Sequence, residues 1–226
     1  VYDVNWLQSE LGGMFHVEHL DVIDSTNEAL KREIKKRDIT LLSQNSPPIP
    51  LHELLPKLLL ATEQTQGRGQ YQRSWLSQRG RTVMMSFLMP IANTNTIQLS
   101  QLPYQLATVL RQCCQDTFPN LAVEPTFIVK PPNDLYLNGQ KLAGILVESI
   151  QRGTSQALII GCGFNAFPMD AAAHSTAHLP HAALLSAEQM AHNGQLMSEV
   201  IHQLIVSFAQ AMYRLITLSA PHESTT

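Results

Sequence analysis

Cysteine is scarce in this 226-residue chain, and so is charge. The three cysteines are Cys113, Cys114 and Cys162. No CxxC pair occurs among them, so neither a structural zinc site nor a disulfide framework is expected. A reducing compartment is the simple reading. Charged residues make up 15% of the chain and the formal net charge is −3. That balance argues against sequence-independent binding to nucleic acid, which needs a basic surface. No apolar run reaches the ~18 residues that span a bilayer. The N-terminus lacks a basic stretch followed by a long apolar one, so no signal peptide is read and a cytoplasmic location follows by default. A GKS or GKT phosphate loop is missing. The glycine-rich stretch Gly67-Arg68-Gly69 lacks the third glycine of a dinucleotide fingerprint. What is present is a chain that is 44% hydrophobic, of a length that suits one domain with its own core.

Residues 16–23 (HVEHLDVI) alternate apolar and polar side chains, as a half-buried strand does. Asp24-Ser25-Thr26 then sets short oxygen-bearing residues before a run of helix formers, an N-cap signal. A helix is predicted over 26–37. Its basic face of Lys31, Arg32, Lys35, Lys36 and Arg37 reads as solvated. Residues 43–50 form a proline-rich loop. Further strands are predicted over 58–62, 82–89, 127–130, 135–137, 141–150 and 156–167. Asn138-Gly139 is a hairpin turn signal. Helical spacing appears over 102–117 and again over 198–218, the latter as core or as a dimer face, which leaves a homodimer open. Residues 1–13 precede the first convincing strand and read as a peripheral extension; 14–226 read as one domain. Strands in neighbouring pairs with a few long helices make an α+β pattern.

Two segments carry the chemistry. The stretch 64–80 is polar and, at roughly 17 residues, long for a passive connection. Its glycines let backbone N–H groups approach a ligand, and Arg68 offers a planar fork that matches phosphate or carboxylate. The plain alternative is an exposed basic loop. The second segment is Lys130-Pro131-Pro132-Asn133-Asp134-Leu135-Tyr136, followed after the turn by Lys141-Leu142-Ala143-Gly144-Ile145-Leu146-Val147-Glu148. Two lysines in otherwise apolar strands need partners or lose their protons. Beside Asn133-Asp134 they point to an anionic ligand with a metal ion. The plain alternative is two snorkelling lysines and an Asx turn.

The ordered set Asp24-Ser25-Thr26-Asn27, Glu63-Gln64-Thr65-Gln66-Gly67-Arg68-Gly69, Lys130-x-Pro132-Asn133-Asp134-Leu135, Lys141 to Glu148 and Gly161-x-Gly163-x-Asn165 resembles the catalytic domain of biotin protein ligases. The likeness covers residues 15–167 in spacing and order. It implies a central mixed sheet with helices packed on one side, shared with lipoate ligases. It implies activation of biotin by ATP and Mg²⁺, and transfer to a lysine of a biotin carboxyl carrier protein. By the resemblance, Ser25, Thr26, Asn27, Gln64, Gly67, Arg68, Gly69, Gln70 and Lys141 belong to the biotin site, with Ser25, Thr26 and Gln64 on the ureido ring. Arg68, Lys130 and Lys141 would be catalytic and hold carboxylate and phosphate oxygens. Arg73, Trp75, Asn133 and Asn165, with Arg68 and Lys130, would bind the nucleotide, and Asp134 would meet the metal.

The likeness also marks departures. The family loop usually reads GRGRxGR; here Gln70 replaces an arginine and Gln72 a glycine, which implies a site that releases its adenylate sooner. Pro131 replaces an aromatic residue. No helix-turn-helix pattern is read before Met14 and no small β-barrel after Leu218, so DNA binding and repression are not expected. A lipoate or octanoate ligase or transferase on the same fold is the nearest rival, and a degenerate biotin-binding module the next. His174 and His178 lack a third ligand and are not read as a metal site. Met84, Met85 and Met89 read as packing residues, and Cys113 and Cys114 as buried on their helix.

Overall fold

A computed structural model of the chain describes residues 2–44, 46–47, 49–91, 98–118, 126–153, 155–169 and 181–218. The elements run α1 (Val4–Leu11), β1 (His16–Ile23), α2 (Thr26–Ser43), β2 (Lys57–Gln64), β3 (Thr82–Ile91), α3 (Leu102–Thr117), β4 (Phe127–Lys130), β5 (Asp134–Leu137), β6 (Gln140–Arg152), β7 (Ser155–Asn165) and α4 (Ala187–Leu218). The strands form one seven-stranded sheet in the order β1-β2-β3-β7-β6-β5-β4. β1 and β2 are parallel and every other pair is antiparallel, so the sheet is mixed as expected.

Alternation along the central strands sorts the core into two layers. Leu58, Leu60, Met85, Phe87, Met89, Leu158 and Ile160 face α1, α3 and α4. Leu59, Leu88, Ala157 and Ile159 face Leu30 and Ile34 of α2 and the turn Leu51–Glu53. Three helices therefore share one side, and α2 covers the other. The functional cleft lies on the α2 side. Asn138 and Gly139, with φ of 50° and 79°, make the tight turn between β5 and β6, the left-handed pair that a two-residue hairpin requires.

Residues 2–13, expected to be peripheral, are part of the fold. α1 starts at Asp3, whose side chain accepts from Trp6 N, and it buries Leu7 and Leu11 completely against the main core. Gln8 bonds both Phe15 O and Val17 N, fastening α1 to β1. Eight residues with two core positions give little periodicity to read. α2 runs past the predicted end at 37, and an ion pair between Asp38 and Arg152 of β6 holds its later turns. α4 begins before 198, in a stretch that contains Asn193-Gly194 and carries little apolar pattern. From Ile201 to Ile216 it packs as core. The basic residues of α2 split: Lys31 and Arg32 are in ion pairs, and Lys35, Lys36 and Arg37 are exposed. Met84, Met85, Met89, Cys113 and Cys114 are buried as expected. His174 and His178 lie outside the described residues. Among the described residues no helix is long and apolar enough to cross a membrane.

Candidate active site

The start of α2 builds one wall of the site. Ser25 sits at the N-cap, yet its hydroxyl makes no capping hydrogen bond. Gln64, at the end of β2, supplies the cap: its Oε1 accepts from Thr26 N at 2.7 Å. A helix N-terminus must find such partners for its free N–H groups. The result brings Ser25, Thr26, Asn27 and Gln64 together from two distant segments.

The glycine-rich loop crosses above them as a small closed turn. Gly69 N donates to Arg73 O at 2.7 Å and Trp75 N to Gly67 O at 2.8 Å. Gly67 has to be glycine, because a Cβ there would fall 2.8 Å from Trp75 O. Tyr71 at the tip has φ 55° and is 83% exposed. Arg68 is tied to the α2 wall through Glu28, with Nη1 2.9 Å from Oε1. Sequence reading passed over Glu28, since an acidic residue in a helix's first turn is ordinary.

The sheet forms the floor. Gly144 of β6 and Gly163 of β7 are cross-strand partners, and the Trp75 indole lies on both. Cβ atoms there would approach it to 3.1 Å and 2.2 Å. Trp75 Nε1 is buried with no hydrogen-bond partner among the described residues. Lys141 Nζ stands 5.4 Å from the Trp75 ring and 2.8 Å from Asp134 Oδ1. The latter is an ion pair, and Asp134 Oδ1 takes no other partner among the described residues. Lys130 is exposed and lies over Tyr136, 5.1 Å from the ring centroid. Its partner is thus an aromatic face. Asn133 donates Nδ2 to Ile145 O at 2.8 Å and so pins the β4–β5 turn to β6. Cys162 lies beneath the floor, and burial pushes its thiol up to about 12, which disqualifies it as a nucleophile near neutrality.

These walls enclose a cleft of about 340 Å³. Ser25, Thr26, Asn27, Gln64, Arg68, Gly69, Gln70, Arg73, Trp75, Lys130, Asn133, Asp134 and Lys141 all line it. Two expected residues do not. Gly67 sits behind the loop, against Trp75 and Gln64. Asn165 is 1% exposed, donates to Lys141 O at 3.3 Å and keeps Oδ1 without a partner among the described residues. The lining gains Tyr136 and the floor glycines Gly144, Gly161 and Gly163. Gly-x-Gly on a predicted strand was the available signal for the floor. Arg68, Lys130 and Lys141 bring positive charge to the lining, and hydroxyl and amide groups share it.

A family model described as the biotin/lipoate A/B protein ligase family matches residues 50–165, just over half of the chain. The chain belongs to that family. Within the biotin/lipoate ligases, it is 31% identical over 160 residues to the bifunctional ligase/repressor BirA of Bacillus subtilis, covering 70% of this chain and 42% of that protein. It is 36% identical over 110 residues to the biotin–[acetyl-CoA-carboxylase] ligase of Paracoccus denitrificans, covering 47% and 43%. The chain thus spans about two fifths of the length of these two curated relatives. Its fold is similar to the biotin protein ligase of Aquifex aeolicus in complex with biotin and ATP, with TM-score 0.55, 23% identity, and coverage of 89% of this chain and 72% of that one. It is also similar to the Leishmania major biotin protein ligase in complex with biotinyl-5-AMP, with TM-score 0.58, 17% identity, and coverage of 90% and 75%.

Proposed function

We propose that this chain carries the catalytic core of a biotin–protein ligase, joining biotin to ATP and then to a lysine of a carboxyl carrier protein. One observation carries the reading. Three cations from three segments, Arg68, Lys130 and Lys141, border the same cleft as Ser25, Thr26 and Gln64. A carboxylate and a triphosphate repel each other, and a cluster of cations offsets that repulsion as they approach. A ureido ring needs polar partners that a fatty chain does not.

In the first step a biotin carboxylate oxygen attacks the α-phosphorus of ATP. The bond from that phosphorus to the pyrophosphate oxygen breaks, pyrophosphate leaves, and biotinyl-AMP remains. Arg68 and Lys141 stabilise charge on the carboxylate and α-phosphate, and Lys130 meets phosphate oxygens. Asn27, Gly69 and Gln70 line the biotin site, with Gly67 shaping the loop behind them. Trp75 offers an indole face and Arg73 a further cation to the nucleotide; Asn133 borders it and Asn165 supports it from behind Lys141. In the second step the carrier's amine attacks the acyl carbon, loses a proton, and AMP leaves. The loop excludes water from the anhydride between the steps.

Magnesium fits this site as part of the nucleotide. Asp134 presents a carboxylate to the cleft, with Oδ1 held by Lys141 at 2.8 Å, and no group of three or more acidic, histidine or cysteine ligands occurs among the described residues. A single carboxylate suffices for an ion that keeps several waters and binds mainly through phosphates. Bound there, Mg²⁺ would supply neutralisation of phosphate charge.

Biotin-dependent exchange of labelled pyrophosphate into ATP tests the proposal, with lipoate and octanoate as parallel acids. Exchange with biotin alone is the expected result. Exchange with lipoate or octanoate instead would move the chain to the acyl-transfer branch of its family. Biotin binding without exchange would make it a binding module.

A further inference from the structure

Behind Thr26 and Asn27 runs a chain of hydrogen bonds with a fixed proton order. It begins at Glu148 on β6. One of its oxygens lies 2.6 Å from Lys31 Nζ, and the other accepts from Asn27 Nδ2 at 2.7 Å. Burial pulls Lys31 down, but its hydrogen bonds to Glu148 and Glu28 outweigh that and hold the ammonium above its ordinary value. Glu148 thus pairs with a cation, and a carboxylate in such a pair only accepts. An acceptor-only partner decides how the Asn27 amide is turned: the NH₂ faces Glu148 and the oxygen faces away.

That oxygen, Asn27 Oδ1, is 2.5 Å from Ser86 Oγ. A hydroxyl has one proton, and Ser86 must give it to Asn27. Ser86 Oγ is also 2.6 Å from Thr26 Oγ1. With its own proton committed, Ser86 accepts in this contact and the Thr26 hydroxyl donates. Gln64 Oε1, 3.1 Å from Thr26 Oγ1, already takes the Thr26 backbone N–H at 2.7 Å. Thr26 thus meets a ligand in the cleft with lone pairs alone. Ser86 is fully buried on β3. Gly161 makes room for the chain, since a Cβ there would fall 2.6 Å from Asn27 Oδ1.

We propose that Glu148 and Ser86 are positioning residues for acid selectivity: acting through Asn27, they fix Thr26 as a hydrogen-bond acceptor, so the cleft favours an acid bearing an N–H group, such as a cyclic urea, over a plain acyl chain. This rests on the biotin-ligase reading and extends it to two residues outside the cleft. A hydroxyl free to rotate serves donors and acceptors alike. One whose proton is committed inward leaves an unpaired acceptor beside a ligand that offers no N–H, and that mismatch is where discrimination arises.

The test measures dissociation constants by competition calorimetry on the full chain, for wild type, Ser86→Ala and Glu148→Gln. The ligands are biotin, dethiobiotin (which keeps the ureido ring) and octanoate. The wild type is expected to favour both ureido acids. Each variant is expected to lower the biotin-to-octanoate affinity ratio about ten-fold, with dethiobiotin following biotin. A merely structural role weakens all three ligands together and leaves the ratio unchanged; that result overturns the proposal, as does a wild type that binds octanoate as tightly as biotin. If Glu148→Gln does not fold, Ser86→Ala, which removes one buried oxygen, decides. The two readings fail separately. Absence of pyrophosphate exchange sinks the ligase reading, while a Ser86-dependent biotin-to-octanoate ratio in the same protein upholds this one.

Discussion

Trp75 rests on Gly163 so closely that a Cβ at that glycine would fall 2.2 Å from the indole Cε2. The loop and the sheet meet through this contact, and nothing but hydrogen fits between them. Gly163→Ala is expected to lift the indole from the floor. The variant should lose about 1–3 kcal/mol of stability, the usual cost of overpacking, and its tryptophan emission should shift to the red. Fluorescence and urea denaturation read the two effects. A variant with unchanged emission and unchanged stability would show that the indole has another seat.

Arg68 separates activity from stability. Its pairing with Glu28 is 53% exposed on the arginine side, and exposed ion pairs contribute about 0–1 kcal/mol. Arg68→Ala should therefore leave the melting temperature within a few degrees of wild type. Removing a cation from the reacting phosphate should lower kcat for pyrophosphate exchange by about 10²–10³-fold. A large loss of melting temperature with little loss of kcat would reverse the assignment and make Arg68 a structural clamp.

Gln70 lines the cleft where the family loop usually has an arginine. Gln70→Arg should slow release of free biotinyl-AMP roughly ten-fold, the effect of one added charge-assisted hydrogen bond. Filtration of the enzyme after a single round of adenylation, followed by assay of free adenylate, measures it. Equal release from both proteins would remove Gln70 as the cause of any leak.

How much of this was legible in the sequence depended on how local each signal was. α3 was predicted to its ends because Leu102, Leu106 and Leu110 repeat at helical spacing and all three are buried. The β5–β6 turn was legible because only Asn138-Gly139 chemistry suits two positive φ values. The cleft residues were found through motif order, and thirteen of the fifteen expected residues line it. Asn165 and Gly67 belong to the same motifs but face elsewhere, which spacing alone does not encode. The Glu148–Asn27–Ser86 chain was invisible for a different reason. Its links join residues 121 and 59 positions apart, and neither a serine in the apolar strand β3 nor a glutamate within β6 announces a partner.

His202 gives the fold a dependence on acid. It is buried on α4, and its Nε2 accepts from Asp3 N at 3.0 Å. Burial lowers its pKa below the ordinary 6.5, with Asp3 and Glu199 pulling partly the other way. The unfolded chain therefore takes up the proton first as pH falls. Stability is fully present above 6.5 and declines as pH drops from there through the lowered folded value. His19, lowered chiefly by burial as well, adds to the same fall. Melting temperatures at pH 7.5, 6.5 and 5.5 should decline on the acid side, and His202→Phe should flatten part of that decline. Parallel curves for the two proteins would rule out His202 as a source.

The last expectation concerns the segment before the first strand. Leu7 is fully buried in the main core, on a helix that Asp3 caps and that touches β1 and α4. A leucine removed from such a site takes with it the transfer free energy of its side chain and leaves a cavity that neighbours fill only in part. Leu7→Ala should cost about 2–5 kcal/mol, read as a lower urea midpoint at unchanged slope. Ser9 on the same helix is more exposed, its hydroxyl donating to Trp6 O, and Ser9→Ala should change stability by less than about 0.5 kcal/mol. If both substitutions are silent, α1 is dispensable to the fold. If Leu7→Ala alone is costly, the helix is part of the domain, and it braces the face of the sheet opposite the cleft.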